Sequence, residues 1–214
     1  MFELVIGSKN FSSWSLRPWL GLTVAEIPFT ETVISMHQPD WREQVHALAP
    51  NGKVPLLRDG ELQVCESLAI LEYAADKFPA AQLWPSDPAA RAIARSVSSE
   101  MHAGFAHLRE EMTMNILARK HVDPSDKARA NIARIEQLWN ECRARYGASG
   151  PFLFGAFSIA DAMFAPVVTR FVTYQVQVSP ATHAYMDAVL ALPAMKKWEQ
   201  GAREEAARGH GDYR

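Results

Sequence analysis

The sequence predicts a two-domain protein of the α+β/α class, in which a βαβαββα domain is followed by an all-α helical domain. Short strand-like and helix-like segments alternate over residues 1–80, and beyond residue 89 the apolar periodicity is helical almost throughout. Between these regions the prolines Pro79, Pro85 and Pro88 interrupt the chain. Because such passages concentrate at domain boundaries, we expect domains over residues 1–80 and 89–214, joined by a linker near residues 80–88.

The N-terminal domain begins with a strand, a loop and a helix. Leu4 to Ile6 is typical of a buried strand, and residues 7–10 form the loop that leaves it. A helix is expected from Ser12 onward, and Pro18 fits it only near its first turns. Its broad apolar face is formed by Trp14, Leu16, Trp19, Leu20 and Leu22.

The rest of this domain alternates in the same way. A strand over Pro28 to Ile34 and a short helix over Asp40 to Leu48 are followed by a strand that contains Val54-Pro55. Asp59-Gly60 is a strong hairpin signal, so this third strand should pair with Glu61 to Val64. A helix over Ser67 to Phe78 then ends the domain.

Helical patterns fill the second domain. Ala89 to Arg119 has the periodicity of one long helix, and Ser125 to Tyr146 of another. Ser158 with Asp161 three residues later is a capping pattern, and it opens the run Ala162 to Val172. This run is apolar on most faces, which is typical of a buried central helix.

Composition excludes several classes of protein. The 214 residues are 48% hydrophobic and 21% charged, with a formal net charge of −2, as in ordinary soluble globular proteins. No Lys/Arg block could neutralise several phosphates, and no apolar stretch reaches the ~20 residues of a membrane span, so nucleic-acid and membrane partners are not expected. Neither Cys65 nor Cys142 belongs to a CxxC motif, which favours a reducing cytoplasm. The seven His residues show no HxxxH or HxH pair, so no metal site is expected.

Two short motifs predict a site for a small peptide. A Val54-Pro55 step marks either an edge strand or an abrupt turn of the kind that a cis bond allows, and it leaves the Val54 backbone free to pair with an extended peptide. Glu66-Ser67 lies where the pattern changes from strand to helix, at a helix N-terminus whose unpaired N–H groups suit a carboxylate.

Together these motifs resemble the glutathione site of the cytosolic glutathione transferases. The pattern in this chain is Asn51-Gly52-Lys53-Val54-Pro55-x-Leu57, then Glu66-Ser67-x-Ala69-Ile70. A serine-rich turn precedes the first helix, and Gly155-x-x-Ser158-x-x-Asp161 follows in the second half, so the resemblance covers nearly the whole chain. It implies a thioredoxin-like first domain and glutathione as co-substrate.

Ser12 is the candidate catalytic residue. Glutathione reacts as a thiolate, whereas a free thiol has a pKa near ~8.5, so the protein must stabilise the negative sulfur. A hydroxyl at a helix N-terminus can donate to it, and Ser12 matches the serine of similar transferases. Ser13 and Asn10 remain rivals, and a purely structural helix cap is the other interpretation of Ser12. The chain has no Tyr before Tyr73 and no Cys in this turn, unlike the tyrosine-type and cysteine-type enzymes.

The resemblance also assigns glutathione contacts. Ser67 would hold the γ-glutamyl carboxylate, Glu66 would orient its amino group, and the Val54 backbone would pair with the cysteinyl residue. Gln38 and Lys53 are candidates for the glycyl end, or surface residues. A small hydrophobic electrophile would lie between the domains against Met101, Phe105, Leu108 and Met112, with Trp14 near the entrance. Alternatively, these residues simply pack in the hydrophobic core. The candidates for contact with a polar or anionic substrate are Arg170, Tyr174 and His107.

The expected function is therefore that of a cytoplasmic glutathione transferase, a detoxification enzyme that adds glutathione to an electrophile. The layout looks most like the zeta-type group, some of whose members isomerise maleylacetoacetate, although Ser12-Ser13-Trp14 replaces that group's Ser-Ser-Cys. A non-catalytic protein that binds glutathione or a partner is the alternative from another class. The family also implies a twofold homodimer.

Overall fold

The computed structural model, which describes residues 1–35 and 38–210, has a four-stranded mixed sheet in its first part. Strands β1 (Phe2–Gly7), β2 (Phe29–Ile34), β3 (Leu56–Asp59) and β4 (Leu62–Cys65) lie in the order β2-β1-β3-β4. Strand β1 is parallel to β2 and antiparallel to β3, and β3 is antiparallel to β4. The buried strand β1 is thus central, and β4 is an edge.

Helices α1 (Ser13–Val24), α2 (Trp41–Leu48) and α3 (Ser67–Lys77) complete the predicted βαβαββα order. The third strand lies later in the chain than predicted. It begins at Leu56, so Val54-Pro55 precedes the strand rather than lying in it. The Val54–Pro55 peptide bond is cis, as one of the two predicted alternatives allows. Proline has no backbone N–H to donate within a sheet. A strand that begins after Pro55 therefore avoids a missing hydrogen bond, which is the physical reason for the shift.

Helix α1 lies at the centre of the molecule. Its residues Leu16, Trp19, Leu20 and Leu22 are buried in the core, and the helix contacts both α3 and a helix of the second domain. Gly21 makes this double contact possible, because a Cβ there would meet Leu71 Cδ2 at 2.4 Å and Ala162 Cβ at 3.7 Å. The site-bearing end of α1 is consequently fixed by packing from two sides.

The second part of the chain is helical. It contains α4 (Pro88–Ala103), α5 (Ala106–Glu111), α6 (Asp126–Tyr146), α7 (Ile159–Thr173), α8 (Pro180–Ala191) and α9 (Pro193–Glu205). Helix α7 is buried on nearly every face, which confirms the predicted central helix. At its start the Asp161 carboxylate accepts from the Ser158 N–H at 2.8 Å and the Leu153 N–H at 3.0 Å, so the capping prediction is also confirmed.

The predicted continuous helix over residues 89–119 was wrong. Helix α4 ends at Ala103 with Gly104 as its C-cap, Phe105 has a left-handed φ of +60°, and α5 ends at Glu111. A Cβ at residue 104 would lie 2.8 Å from the Glu100 carbonyl oxygen, so glycine permits the backbone to leave the helix here. Met101, Phe105, Leu108 and Met112 are nevertheless all buried in one core. The periodicity therefore predicted burial correctly and continuity incorrectly.

Over the described part of the chain, no helix combines the length and apolar character that crossing a membrane demands.

Candidate functional site

The loop between β1 and α1 places Ser12 at the N-terminus of α1. Ser12 is buried, its N–H donates to the Ser8 carbonyl at 2.8 Å, and its hydroxyl donates to Ser15 Oγ at 2.7 Å. Ser15 Oγ also accepts from the Gly7 N–H at 3.1 Å. The Ser12 side chain makes no capping hydrogen bond to the helix backbone. The purely structural capping interpretation therefore does not describe this side chain.

Ser12 and Val54 approach each other across Gly7. A Cβ at Gly7 would lie 3.2 Å from Ser12 Oγ and 3.2 Å from Val54 Cγ2, so the two side chains flank the same glycine. The absence of a side chain at residue 7 permits this close approach. The predicted catalytic hydroxyl and the predicted peptide-binding segment are thus brought together.

The two rivals of Ser12 have different surroundings. Asn10 is buried, and its Oδ1 accepts from the Leu117 N–H at 3.1 Å, which ties the loop to the helical domain. Ser13 is also buried and is the first residue of α1, and its N–H donates to the Phe11 carbonyl at 3.0 Å.

Glu66 and Ser67 lie at the start of α3, as the sequence predicts. Glu66 has a φ of +69°, which turns the chain abruptly from β4 into the helix. Ser67 is fully buried, and among residues 1–35 and 38–210 its hydroxyl has no hydrogen-bond partner. A buried hydroxyl without a partner costs about 1–3 kcal/mol. This orphaned group, beside the free N–H groups of a helix N-terminus, fits a carboxylate ligand.

A pocket of about 210 Å³ joins the peptide-binding motifs. Its walls are formed by Trp14, Asn51, Lys53, Val54, Pro55 and Glu66. Three of the predicted glutathione contacts, Lys53, Val54 and Glu66, therefore share one cavity. Gln38 is exposed and is not among the described residues that line this pocket.

The predicted electrophile wall is core. Met101, Leu108 and Met112 have no exposed surface and Phe105 has 7%, whereas Trp14 does line the pocket as expected. Tyr174 donates to the Thr113 carbonyl at 3.1 Å, and His107 is half-buried. Most of the side chains that the helical periodicity suggested as substrate contacts are therefore buried in the core.

Residues that the sequence reasoning did not single out surround Trp14. The guanidinium groups of Arg17 and Arg109 lie 4.3 and 5.1 Å from the centre of its ring, and His102 packs edge-on at 5.3 Å. The spacing of Trp14 and Arg17 by three residues on one helix was the available signal, because such residues are neighbours on a helix surface. Nothing in the sequence indicated that the arginine would be buried.

His102 also connects the two domains. Its Nε2 lies 3.5 Å from Glu66 Oε2. Burial lowers the pKa of His102, the Arg17 charge lowers it further, and Glu66 partly opposes them. With its pKa below the usual value near ~6.5, this imidazole is mostly neutral at pH 7, so the contact with Glu66 is then polar rather than ionic.

Both halves of the chain match descriptions of one protein family. Residues 11–77 match "Glutathione S-transferase, N-terminal domain" and residues 92–198 match "Glutathione S-transferase, C-terminal domain". The first match covers helices α1 to α3 and strands β2 to β4 but not β1, and the second runs from within α4 to within α9.

Individual relatives agree with this match. The chain is 27% identical over 195 residues to the maleylacetoacetate isomerase of Rattus norvegicus, covering 88% of this chain and 87% of the rat protein. It is 25% identical over 165 residues to glutathione S-transferase Z2 of Arabidopsis thaliana, covering 73% and 71%.

A solved structure supports the fold. A glutathione transferase homologue from Burkholderia, crystallised with bound glutathione, has a TM-score of 0.72 and 21% identity, and the similarity covers 95% of this chain and 98% of that chain. The predicted thioredoxin-like domain with an all-helical second part is confirmed. The chain therefore belongs to the glutathione S-transferase family, and a maleylacetoacetate isomerase and a glutathione S-transferase Z2 are among its relatives.

Proposed function

We propose that this chain binds glutathione in the pocket beside Val54 and activates its thiol with Ser12 for attack on a small electrophile. The observation that carries the proposal is the fully buried hydroxyl of Ser67 at the start of α3, which has no partner in the described part of the chain. A γ-glutamyl carboxylate bound there would satisfy it. Glu66 would then meet the amino group, the Val54 backbone the cysteinyl residue, and Lys53 the glycyl carboxylate. Gln38 stays a candidate for that end.

The serine pair offers a route for stabilising the thiolate. Ser12 donates to Ser15 at 2.7 Å without a ligand, and Ser15 already accepts from the Gly7 N–H. When a thiolate arrives, the Ser12 hydroxyl rotates to donate to sulfur, and Ser15 donates its own proton back to Ser12. Each hydroxyl keeps a partner, and the chain of donors strengthens the bond to sulfur. The positive end of the α1 dipole adds to this effect.

Single substitutions test these assignments separately. Ser12→Ala should keep glutathione binding but raise the pKa of the bound thiol and lower kcat for an aryl halide by about 100-fold, as removal of an oxyanion donor does. Ser67→Ala should instead weaken glutathione binding. Calorimetry measures binding, ultraviolet absorbance follows the thiolate, and Ser99→Ala on the exposed face of α4 is the matched control. An unchanged rate for Ser12→Ala would remove this residue from the mechanism.

The similarity to a named maleylacetoacetate isomerase over 88% of the chain favours a second candidate activity, glutathione-dependent isomerisation. The turn carries Trp14 where the expected motif has cysteine. Assaying both the aryl-halide conjugation and the isomerisation with one preparation decides between them. Glutathione binding without turnover of any electrophile would indicate a non-catalytic binding protein.

We also propose the wider properties expected of this family. The domains would span residues 1–80 and 89–214, the chain would form a homodimer, and the enzyme would act in cytoplasmic detoxification. The Pro-rich segment before α4 and the family match support the division into domains. Light scattering after size-exclusion chromatography tests the dimer, and fractionation of cells tests the location.

A further inference from the structure

Lys9 lies in the loop that carries Ser12, inside a tight turn over residues 8–12. The Ser8 carbonyl closes this turn, because it accepts from the N–H groups of Phe11 at 3.1 Å and Ser12 at 2.8 Å. A displacement of Lys9 therefore moves Ser12 with it. The contacts of Lys9 consequently bear on where the Ser12 hydroxyl lies.

Both backbone groups of Lys9 are bonded to side chains of helix α9. The Lys9 N–H donates to Glu205 Oε2 at 2.9 Å, and the Lys9 carbonyl accepts from Trp198 Nε1 at 2.9 Å. Trp198 is fully buried, and Glu205 is the last residue of α9. These two side chains lie about two turns apart on the helix. The peptide units on either side of Lys9 are thus held to α9 at two points.

The side chain of Lys9 is enclosed as well. Its ammonium group forms an ion pair with Glu31 Oε1 on β2 at 2.5 Å, and it lies 5.9 and 5.8 Å from the ring centres of Trp19 and Trp198. Only 12% of the side chain is exposed. Solvent ions screen such a sheltered pair less than a surface pair, and the aromatic faces add an attraction for the cation. The ammonium group is therefore fixed in one position.

Gly201 allows α9 to approach Lys9 closely. A Cβ at residue 201 would lie 2.7 Å from Lys9 Cδ and 3.1 Å from Lys9 Nζ. Glycine is a poorer helix former than alanine in a helix interior, so the close contact with Lys9 is a physical reason for glycine here. Trp198, Gly201 and Glu205 follow one another at intervals of three and four residues, which places them on one face of α9. That face is the one that contacts Lys9.

We propose that Lys9 is a positioning residue through which α9 holds the Ser12 hydroxyl in place for the glutathione thiolate. The proposal rests on the proposed function, in which Ser12 donates to sulfur. A hydrogen bond weakens steeply when its donor is misdirected, so a loosened turn over residues 8–12 stabilises the thiolate less well. The other expected glutathione contacts lie in the segments around Val54 and Ser67. Lys9 therefore acts on ionisation of the thiol and not on glutathione affinity.

Titration of the bound thiol tests this role. Lys9→Met removes the ammonium group and leaves the backbone bonds to α9 possible. We expect the pKa of the bound thiol, followed by the ultraviolet absorbance of the thiolate, to rise by about 1, as partial loss of an oxyanion donor predicts. At about pH 6.5, kcat for an aryl halide should fall about 3- to 10-fold, because less of the thiol is ionised while the remaining thiolate is more nucleophilic.

The pH profile and the binding data separate this role from a structural one. Above the raised thiol pKa, the rate lost by Lys9→Met should be regained, and its glutathione affinity by calorimetry should equal that of the wild type. Lys197→Met, which removes an exposed lysine on α9, is the matched control and should change neither quantity. A variant Lys9→Met with lower resistance to urea and an unchanged thiol pKa would overturn the proposal. Loss of glutathione affinity without a change in that pKa would do the same.

A second substitution tests whether the effect passes from α9 through Lys9. Gly201→Ala would displace the Lys9 side chain, so it should also raise the pKa of the bound thiol. In Lys9→Ala the side chain that the new methyl group would meet is absent, and adding Gly201→Ala should change the thiol pKa no further. Equal rises from Gly201→Ala in both backgrounds would show that Lys9 is not the link, and the proposal would fail.

Hydrogen exchange without glutathione distinguishes this proposal from the proposed function. The Ser12 amide, which is bonded to Ser8, should exchange about 10-fold faster in Lys9→Met than in the wild type, while the amides of β1 change little, because only the turn is loosened. Unchanged exchange at Ser12 overturns the proposal. A wild-type protein whose bound thiol keeps the pKa of free glutathione contradicts the proposed function, and faster exchange at Ser12 would then still support Lys9 as the contact that places the loop.

Discussion

Asn10 and Ser12 lie two residues apart in the loop between β1 and α1, and their side chains form different kinds of hydrogen bond. Asn10 accepts from Leu117 with its side chain and from Ile116 with its carbonyl, at 3.1 and 3.3 Å. Ser12 Oγ is bonded to another hydroxyl, which can turn with it. The Asn10 oxygen atoms therefore hold the loop to the segment after α5, whereas the partner of the Ser12 hydroxyl is a hydroxyl on α1 itself.

Asn10→Ala should consequently affect stability more than thiol activation. It leaves the half-buried Leu117 N–H without its acceptor, which costs up to about 1–3 kcal/mol in the free energy of unfolding. Urea unfolding measures this loss, and titration of bound glutathione by thiolate absorbance measures the thiol pKa. If the substitution raised that thiol pKa and left the unfolding free energy unchanged, Asn10 rather than Ser12 would be the donor to sulfur.

The sequence predicted some of these residues and not others for physical reasons. Val54-Pro55 could be singled out because a cis bond before proline requires that residue, and Glu66-Ser67 because it lies where the pattern changes from strand to helix. The choice among Asn10, Ser12 and Ser13 depends on side-chain hydrogen bonds, which a turn of similar polar residues does not reveal. Arg17 could not be assigned, because an arginine in a helix is normally exposed and only packing shows that this one is buried.

At the scale of an element, α7 begins with a buried charge. Asp161 has no exposed surface and accepts hydrogen bonds from Leu153 and Ser158, but no cation pairs with it among the described residues. Burial raises the pKa of this carboxyl to about 6 in spite of the hydrogen bonds. The desolvation of the charge therefore outweighs the donors of the capping motif.

This pKa gives α7 a specific dependence on pH. An unfolded Asp has a pKa near ~3.9, so between about pH 4 and pH 6 the folded state binds more protons, and the contribution of Asp161 to stability falls as the pH rises. From pH 4 to pH 7 the loss should be on the order of 2–3 kcal/mol. Urea unfolding of the wild type and of Asp161→Asn at several pH values in this range tests the prediction. The difference between their free energies of unfolding should change with pH. A difference that stays constant with pH would contradict the raised pKa.

The end of α4 gives a second prediction at this scale. Gly104→Ala would place a Cβ 2.8 Å from the Glu100 carbonyl oxygen, and backbone atoms can yield only by distorting the helix end. We expect a loss of about 1–3 kcal/mol in the free energy of unfolding, as for other overpacked sites. The exposed Ser99→Ala in the same helix should change it by less than about 0.5 kcal/mol. Equal stability of the two variants would show that the chain turns here without needing glycine.

Helical periodicity predicted α6 and α7, but neither the break at Gly104 nor the end of α5 at Glu111. Met101, Phe105 and Leu108 keep the spacing of a helix face because all three enter the same core. Periodicity records which side chains are buried, and a chain can break and resume on the same face. The glycine was the only local sign of the break, and single glycines also occur inside helices.

At the scale of the whole molecule, one core runs through both domains. It extends from Phe2 and Leu4 in the sheet to Trp198 in α9. The rings of Trp19 and Trp198 pack at 5.1 Å, and the Trp198 N–H donates to the Lys9 carbonyl at 2.9 Å. The domains are distinct in secondary structure, yet the β1–α1 loop that carries Ser12 is fastened to the second domain. The geometry of the site consequently depends on the helical domain remaining folded.

Substitution of Trp198 tests this dependence. Trp198→Phe removes the N–H that donates to the Lys9 carbonyl and part of the packing against Trp19. We expect the free energy of unfolding to fall by about 2 kcal/mol. If the core unfolds as a unit, amide hydrogens of β1 and of α7 will both exchange about 30-fold faster, since each exchanges through the same global opening. Trp41→Phe, in the separate small cluster around Val45, should leave both rates nearly unchanged. Faster exchange in α7 alone would mean that the domains open independently. The position of the loop that holds Ser12 would then be determined by the sheet and not by the helical domain.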